Sequence, residues 1–252
     1  MLKLLPIAAA IACPLLLCAQ TAEELVAKNL EARGGIENIK AIKTLRMTGK
    51  VQQGGGFTIQ IARLSMAPNL MRQVATIQGM SEIEAYDGKT GWQISPFEGR
   101  KDPQLLGEDE LRGFVEDADF YGPLVDYRNK DNRIEYLGHD VVDGDDVYRL
   151  KVTLANGDIL YYYLDPDTYL EIRIDKMEFV RGNAVESVTN LGSYKKVAGV
   201  YFPFSMEMGS PRMSPTDYAK VTIEKIEANV PADAAEFKMP ETKPAAAAGK
   251  EY

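Results

Sequence analysis

From Lys43 onward the chain is built of short runs in which apolar residues recur at every second position, broken by turn signals. Leu45, Met47 and Val51 alternate with Thr44, Arg46, Thr48 and Lys50; Phe57, Ile59 and Ile61 follow after Gly54-Gly55-Gly56. A period of two marks strands with one face buried. Leu64 and Met66 shift phase, which predicts a bulge. Pro68-Asn69 breaks the chain, and residues 70–78 and 82–86 read as further strands. Asp87-Gly88 turns into a return strand at 90–95. Strands resume at 133–142, and Asp143–Asp146 turns the chain. Tyr148, Leu150, Val152 and Leu154 then alternate, and Asn156-Gly157 is a hairpin signal. Residues 159–164 are apolar or aromatic on both faces: Ile159, Tyr161 and Tyr163 on one, Leu160, Tyr162 and Leu164 on the other. Residues 169–180, 184–196, 200–208 and 218–228 complete about eleven or twelve strands. No βαβ alternation is present, so the expected sheet is antiparallel and the fold class mainly β, with added helices.

Two segments have a helical period instead. Thr21 with Glu24 forms a capping box, Leu25, Val26 and Leu30 follow, and Gly34-Gly35 ends the helix. A second short helix is expected at 36–42. Residues 103–130 carry Leu105, Leu106, Leu111, Phe114 and Val115 among early acids, a helical insert, with another short helix expected near 120–127. At the N-terminus, Lys3, an apolar run from Leu4 to Leu17 and Ala19 form a secretory signal over 1–19. Cleavage after Ala19 leaves a domain over 20–241 without cysteine. An acylated Cys18 or Cys13 is the alternative, and Leu17 before Cys18 fits it badly. Residues 242–252, rich in Ala and Lys, read as a disordered tail.

Composition removes several kinds of chemistry. The net charge is −8 and no basic block occurs, so nucleic acid is not an expected partner. His139 is the single histidine, and Cys13 and Cys18 lie within the signal, so a His/Cys metal site is excluded and no cofactor is expected. No nucleophile elbow accompanies His139, and no carboxylate pair stands out by spacing, so the chain is not expected to be an enzyme. Asp143, Asp145 and Asp146 lack the further ligands of a calcium loop and read as a turn. The methionines Met47, Met66, Met71, Met80, Met206, Met208 and Met213 suit an adaptable apolar surface.

The run Asp87-Gly88-Lys89-Thr90-Gly91-Trp92 with Pro96-Phe97 resembles the LolA family of periplasmic lipoprotein carriers, whose strand-turn-strand reads D-G-K-T-x-W and then P-F. Pro68-Asn69 and Phe237-Lys238-Met239-Pro240 resemble two further family positions, although Ala67 stands where the family has a basic residue; the nearest are Arg63 and Arg72. Residues 29–35 and 43–49 look like bacterial outer-membrane lipoprotein-sorting relatives. The resemblance implies an unclosed antiparallel barrel with N-terminal and mid-chain helices as a lid over an apolar cavity. It also implies a periplasmic carrier for lipid or acylated lipoprotein, with membrane-associated donor and acceptor proteins as partners. An envelope-stress sensor or protein-interaction module on the same fold is the alternative. From alternation, the expected ligand-binding residues are Leu45, Met47, Phe57, Ile59, Ile61, Met71, Trp92, Phe97, Leu150, Tyr161 and Tyr163.

Overall fold

The computed structural model describes residues 20–54 and 56–241. The expected signal at 1–19 and tail at 242–252 lie outside the described residues. The chain opens with α1 (Ala22–Ala32) and α2 (Ile36–Ala41). Thr21 Oγ1 accepts from the Glu24 N–H at 3.2 Å and the Glu24 carboxylate accepts from Thr21 N–H at 3.1 Å, so the capping box forms.

Five hydrogen-bonded strands come next: β1 (Thr44–Gln52), β2 (Thr58–Met66), β3 (Leu70–Ile77), β4 (Met80–Tyr86) and β5 (Gly91–Ser95). They are followed by β6 (Arg100–Leu105) and α3 (Glu108–Asp117). The second half holds β7 (Arg133–Val142), β8 (Asp145–Thr153), β9 (Ile159–Leu164), β10 (Glu171–Val180) and β11 (Asn183–Gly192). The hairpin β12 (Lys195–Val197) and β13 (Val200–Phe202) precedes β14 (Ser205–Gly209) and β15 (Ala219–Ala228).

Thirteen strands form one unclosed antiparallel sheet in the order β6-β5-β4-β3-β2-β1-β15-β14-β11-β10-β9-β8-β7, and β12–β13 stands apart. The expected unclosed antiparallel barrel with a helical lid is therefore the observed architecture. β6 and β7 are its two edges, so the α3 segment, residues 106–132, runs from one edge to the other. Cross-strand partners share a face. The helix-facing side thus carries Leu45, Met47 and Val51 of β1 opposite Ala228, Ile226 and Val221 of β15. α1 packs Leu25 and Val26 on Leu150, Val152, Leu160, Tyr162 and Leu164. α2 and Val125 pack Ile39 and Ile42 on Leu45, Val221, Ile223 and Ile226. Leu111, Phe114 and Ala118 close over Met71 and Tyr86.

Several local expectations change. The main sheet and the β12–β13 hairpin together exceed the expected strand count. β6 comes from the front of the segment expected to be helical; Pro103, which cannot donate to a ladder, is accommodated on this edge strand. Residues 184–196 and 200–208 each divide in two, at Ser193-Tyr194, where Ser193 has φ 52°, and at Pro203-Phe204; in the gap between them Ala198-Gly199, at φ of 49° and 88°, turns β12 into β13. Gln78-Gly79 and Arg181-Gly182 make the same left-handed pair, with Gln and Arg in place of the Asn or Asp that usually signals it. The β1–β2 pairing runs without a shift past Leu64 and Met66, so no bulge lies there. The shift falls at Thr48/Gly49 against β15, where a Cβ on Gly49 would sit 2.3 Å from the Thr222 carbonyl oxygen. Near 120–127 no helix forms: Gly122, at φ 80°, and Pro123 interrupt it, and a 3-10 turn at Tyr127–Lys130 follows.

Behind the sheet, the C-terminal 3-10 turn Ala234–Phe237 buries Phe237 completely, and the Trp92 indole N–H donates to the Phe237 carbonyl at 2.8 Å. Phe237→Ala is expected to cost about 3–5 kcal/mol of unfolding free energy by opening a cavity beside Trp92, measured as a lower urea midpoint with tryptophan fluorescence as the probe.

Candidate functional site

The concave, helix-facing side of the half-barrel divides sharply by polarity. Toward the β6 edge, Arg63, Gln73, Glu84 and Gln93 are consecutive cross-strand partners, and Ser95 donates to Glu82 at 2.6 Å. This is a polar floor, and α3 covers it. The Arg63 guanidinium donates to Ser65 Oγ at 3.2 Å and to the Asp117 carbonyl at the end of α3. Burial lowers the Arg63 pKa, opposed by Asp117. Burial, with Glu82, Asp117, Glu110 and Glu98 nearby, raises the Glu84 carboxyl above the usual carboxylate range.

Toward the middle strands the same side is apolar. Ile59, Val51, Val221, Met206 and Leu191 are successive partners across β2, β1, β15, β14 and β11. All but Val221 are half-buried. Four inter-strand gaps make this row about 19 Å long. Beyond it, Met208, Thr189, Ile174, Tyr162, Leu150 and Tyr136 continue toward the other edge.

α3 is fastened to the β9–β10 side by charge. Arg112 meets Asp158 through two bonds, Nε–Oδ2 at 3.1 Å and Nη2–Oδ1 at 2.5 Å, and also donates to the carbonyls of Phe179 and Asn156. Lys176 Nζ lies 3.1 Å from Glu116 Oε2 and 2.6 Å from Glu178 Oε1. Burial on its own would lower the Lys176 pKa, but Glu178 and Glu116 outweigh it and the value rises. Burial raises Glu116, opposed by Lys176. Glu116, Asp158 and Glu178 place carboxylate oxygens within 4.8 Å of one another. Arg112 and Lys176 already supply cations to that cluster, which makes it a latch for the lid. Arg181 adds a pair to Asp109 at 2.8 Å.

Beneath the end of α1 lies a cavity of about 200 Å³, walled by Arg33, Leu124, Tyr162, Glu171, Leu191 and Tyr194, with Tyr201, Phe202 and Pro203. Arg33 and Phe202 also line a small apolar cavity of about 30 Å³ against Ile39, Ile42, Leu45 and Val200. The Tyr194 hydroxyl donates to the Glu171 carbonyl at 2.7 Å. Burial, then Glu171, pushes the Tyr162 and Tyr194 hydroxyls far above the ordinary phenol range, so both stay protonated.

Of the residues expected to bind ligand, Leu45, Met47, Ile59, Ile61, Met71 and Leu150 face the helices. Met71 and Leu150 are sealed under α3 and α1, while Met47, Ile59 and Ile61 remain half-buried. Phe57 is 48% exposed just before β2, two residues from Ile59, and Phe97 is 43% exposed in the 3-10 turn Pro96–Glu98, so neither is packed in the core. Trp92 points to the outer face, where it holds the C-terminal turn. Tyr161 and Tyr163 also lie on the outer face. Arg149 sits 4.6 Å over the Tyr161 ring, and Arg149 and Arg173 flank Tyr163. Burial, then Asp175, pushes the Tyr163 hydroxyl up to about 12. Alternation alone could not orient β9, because both of its faces are aromatic; Tyr162 is the inward residue. Val51, Met206, Leu191 and the Arg33 cavity went unread. Met206 carried a signal as one of the excess methionines, whereas Arg33 was marked only by its place beside Gly34-Gly35 in the run 29–35.

No protein-family model matches the chain, and no curated protein matches its sequence. Solved structures do match. A LolA superfamily protein from Nitrosomonas europaea superposes with a TM-score of 0.59, covering 87% of this chain and 98% of that one at 13% identity. A DUF1329 family protein from Desulfovibrio piger gives 0.58, covering 86% and 97% at 13% identity. The fold is LolA-like. A putative outer membrane lipoprotein-sorting protein domain from Vibrio parahaemolyticus gives 0.53, covering 84% and 97% at 12% identity. Ala67 stands before Pro68-Asn69, and the nearby Arg63 takes the inner face and reaches the lid.

Two outcomes follow from the lid. Arg112→Ala leaves Asp158, 1% exposed, without its cation. Discounted for the partly exposed arginine, this is expected to cost about 2 kcal/mol, with amide hydrogen exchange accelerated across α3 and unchanged in α1. Glu84 binds its proton more tightly in the native state than in the unfolded chain. Its contribution to stability is therefore present below its ordinary pKa and lost as pH rises through the raised value. Glu84→Gln is expected to raise the urea midpoint at pH 8 and to match the parent near pH 4; a lower midpoint at pH 8 would contradict the burial argument.

Proposed function

We propose that the protein is an exported carrier or binding protein for an amphiphile with a fatty acyl chain, lipid or acylated protein, held in the concave face of the half-barrel. The observation that carries this reading is the apolar row Ile59–Val51–Val221–Met206–Leu191, half-buried at every member but Val221, which lies beside the lid on the inner side of an unclosed sheet. Burying such side chains against a ligand contributes about 25 cal/mol per Å² of apolar area, and flexible methionine accommodates chains of differing shape. The LolA-like fold supports a binding role in the cell envelope, reached through the signal at 1–19 and performed by one domain over 20–241. His139 packs against Tyr148, with ring centroids 4.9 Å apart, which suits a structural role better than a catalytic one. α3, clasped by charge on one side and by Leu111 and Phe114 on the other, is the element that would move to admit cargo. Release then requires an acceptor that binds the chain more tightly, since populations shift only by differential affinity.

Ile59→Glu and Met206→Glu each place a charge in the apolar row. Either substitution is expected to lower affinity for a fluorescent acyl probe at least tenfold, with the circular dichroism spectrum unchanged. Phe97→Glu, at an exposed position in the Pro96–Glu98 turn, is expected to leave affinity as it is. Undiminished binding in both row variants would move the site elsewhere.

A further inference from the structure

Arg33 occupies an unusual position. It ends α1, and its backbone is fixed from both sides. Its carbonyl accepts from the Tyr201 N–H of β13 at 2.7 Å, and its N–H returns to the helix. Gly34 follows at φ 126°, pressed so closely on the β12–β13 turn that a Cβ there would lie 2.2 Å from the Gly199 carbonyl oxygen. Asn38 then donates to the Gly34 carbonyl at 2.7 Å. The Gly34-Gly35 pair therefore does more than end a helix: it docks the helix end onto the hairpin and fixes where Arg33 sits.

The Arg33 guanidinium makes no ion pair and no hydrogen bond among the described residues, yet it lines the cavity beneath α1. The other polar groups in that wall are differently placed. Tyr194 is engaged with Glu171 through the Glu171 carbonyl and, at 3.3 Å, its carboxylate. The Tyr162 hydroxyl has no protein partner among the described residues and lies in the same wall. A free guanidinium and a free hydroxyl are two donors without acceptors, the complement of an anion. The cavity also includes Leu191, the last member of the apolar row. An anionic end and an apolar track thus meet at one residue.

Resting on the carrier reading above, we propose that Arg33, with the Tyr162 hydroxyl, anchors the acidic head group of the amphiphile, a carboxylate or a phosphate, while its chain runs from Leu191 along the row toward Ile59. Glu171, engaged by Tyr194, lines the same cavity. The cargo is accordingly an anionic amphiphile, and a neutral chain of the same length is a poorer ligand.

The test compares matched pairs on the full mature protein: palmitate against hexadecanol, and a palmitoyl lysophosphatidate against the corresponding monoacylglycerol. All are measured by displacement of a neutral fluorescent probe. The expected result is a tenfold or greater preference for the acid in at least one pair. The pair showing the larger preference identifies the head group as carboxylate or phosphate. Arg33→Gln is expected to abolish that preference and Arg33→Lys to restore part of it, with hexadecanol affinity unchanged in both. Equal binding of acid and neutral partner by the parent protein overturns the anchor while leaving the apolar carrier intact, and needs no variant to fold. A preference that survives Arg33→Gln also overturns it. Binding of none of the four compounds overturns the anchor and the carrier reading together.

Discussion

The structure depends on one long connection. β6 and β7 are adjacent strands of the chain but opposite edges of a thirteen-stranded sheet. Laid flat, such a sheet would be about 58 Å across, whereas α3, with ten residues, is about 15 Å long. Curling the sheet brings the edges toward each other and lets the connection pass over the mouth. The lid is thus a consequence of connectivity: the crossing segment must lie over the concave face, and its contacts are divided between the two halves that it joins.

Those contacts differ in kind. On the β3–β4 side α3 buries Leu111, Phe114 and Ala118 over Met71 and Tyr86. On the β9–β10 side it relies on Arg112–Asp158 and on Lys176 between Glu116 and Glu178. Apolar packing is tolerant of small displacements, whereas a two-point guanidinium–carboxylate pair is lost within an ångström or so. A lid with these two fastenings would open by releasing the charged side and pivoting on the apolar one. The polar floor of Arg63, Gln73, Glu84 and Gln93 leaves little for an acyl chain beneath α3, and the row beside it, half-buried except at Val221, offers an apolar surface.

Much of the architecture was legible in the sequence because local chemistry and tertiary environment agree there. The capping box at Thr21, the hairpin at Asp143-Gly144 and the alternation of 148–154 each have a single reading, and each appears in the structure. Legibility failed where two readings carry the same local signal. β9 is aromatic on both faces, so Tyr161 and Tyr163 could not be told from Tyr162 until α1 was seen to cover one side. Trp92 had the composition of a pocket residue, and only the return of Phe237 from the far end of the chain gives it a partner on the outer face. The turn at Gln78-Gly79 lacked the usual Asn or Asp, so the strands on either side of it were misjudged at their ends.

The sequence by itself determined a mainly β, antiparallel fold with added helices, since strand period, turn residues and helix caps act over a few residues and need no distant partner. It also determined the limits on chemistry, with one histidine and both cysteines confined to the first eighteen residues. Tertiary structure decided which face of each strand looks inward, where Arg33 stands and how the concave side divides into polar floor and apolar row. Those properties are set by pairings between residues far apart in the chain, such as Val51 with Val221 and Tyr201 with Arg33, and a period of two is the same whichever way the strand is turned.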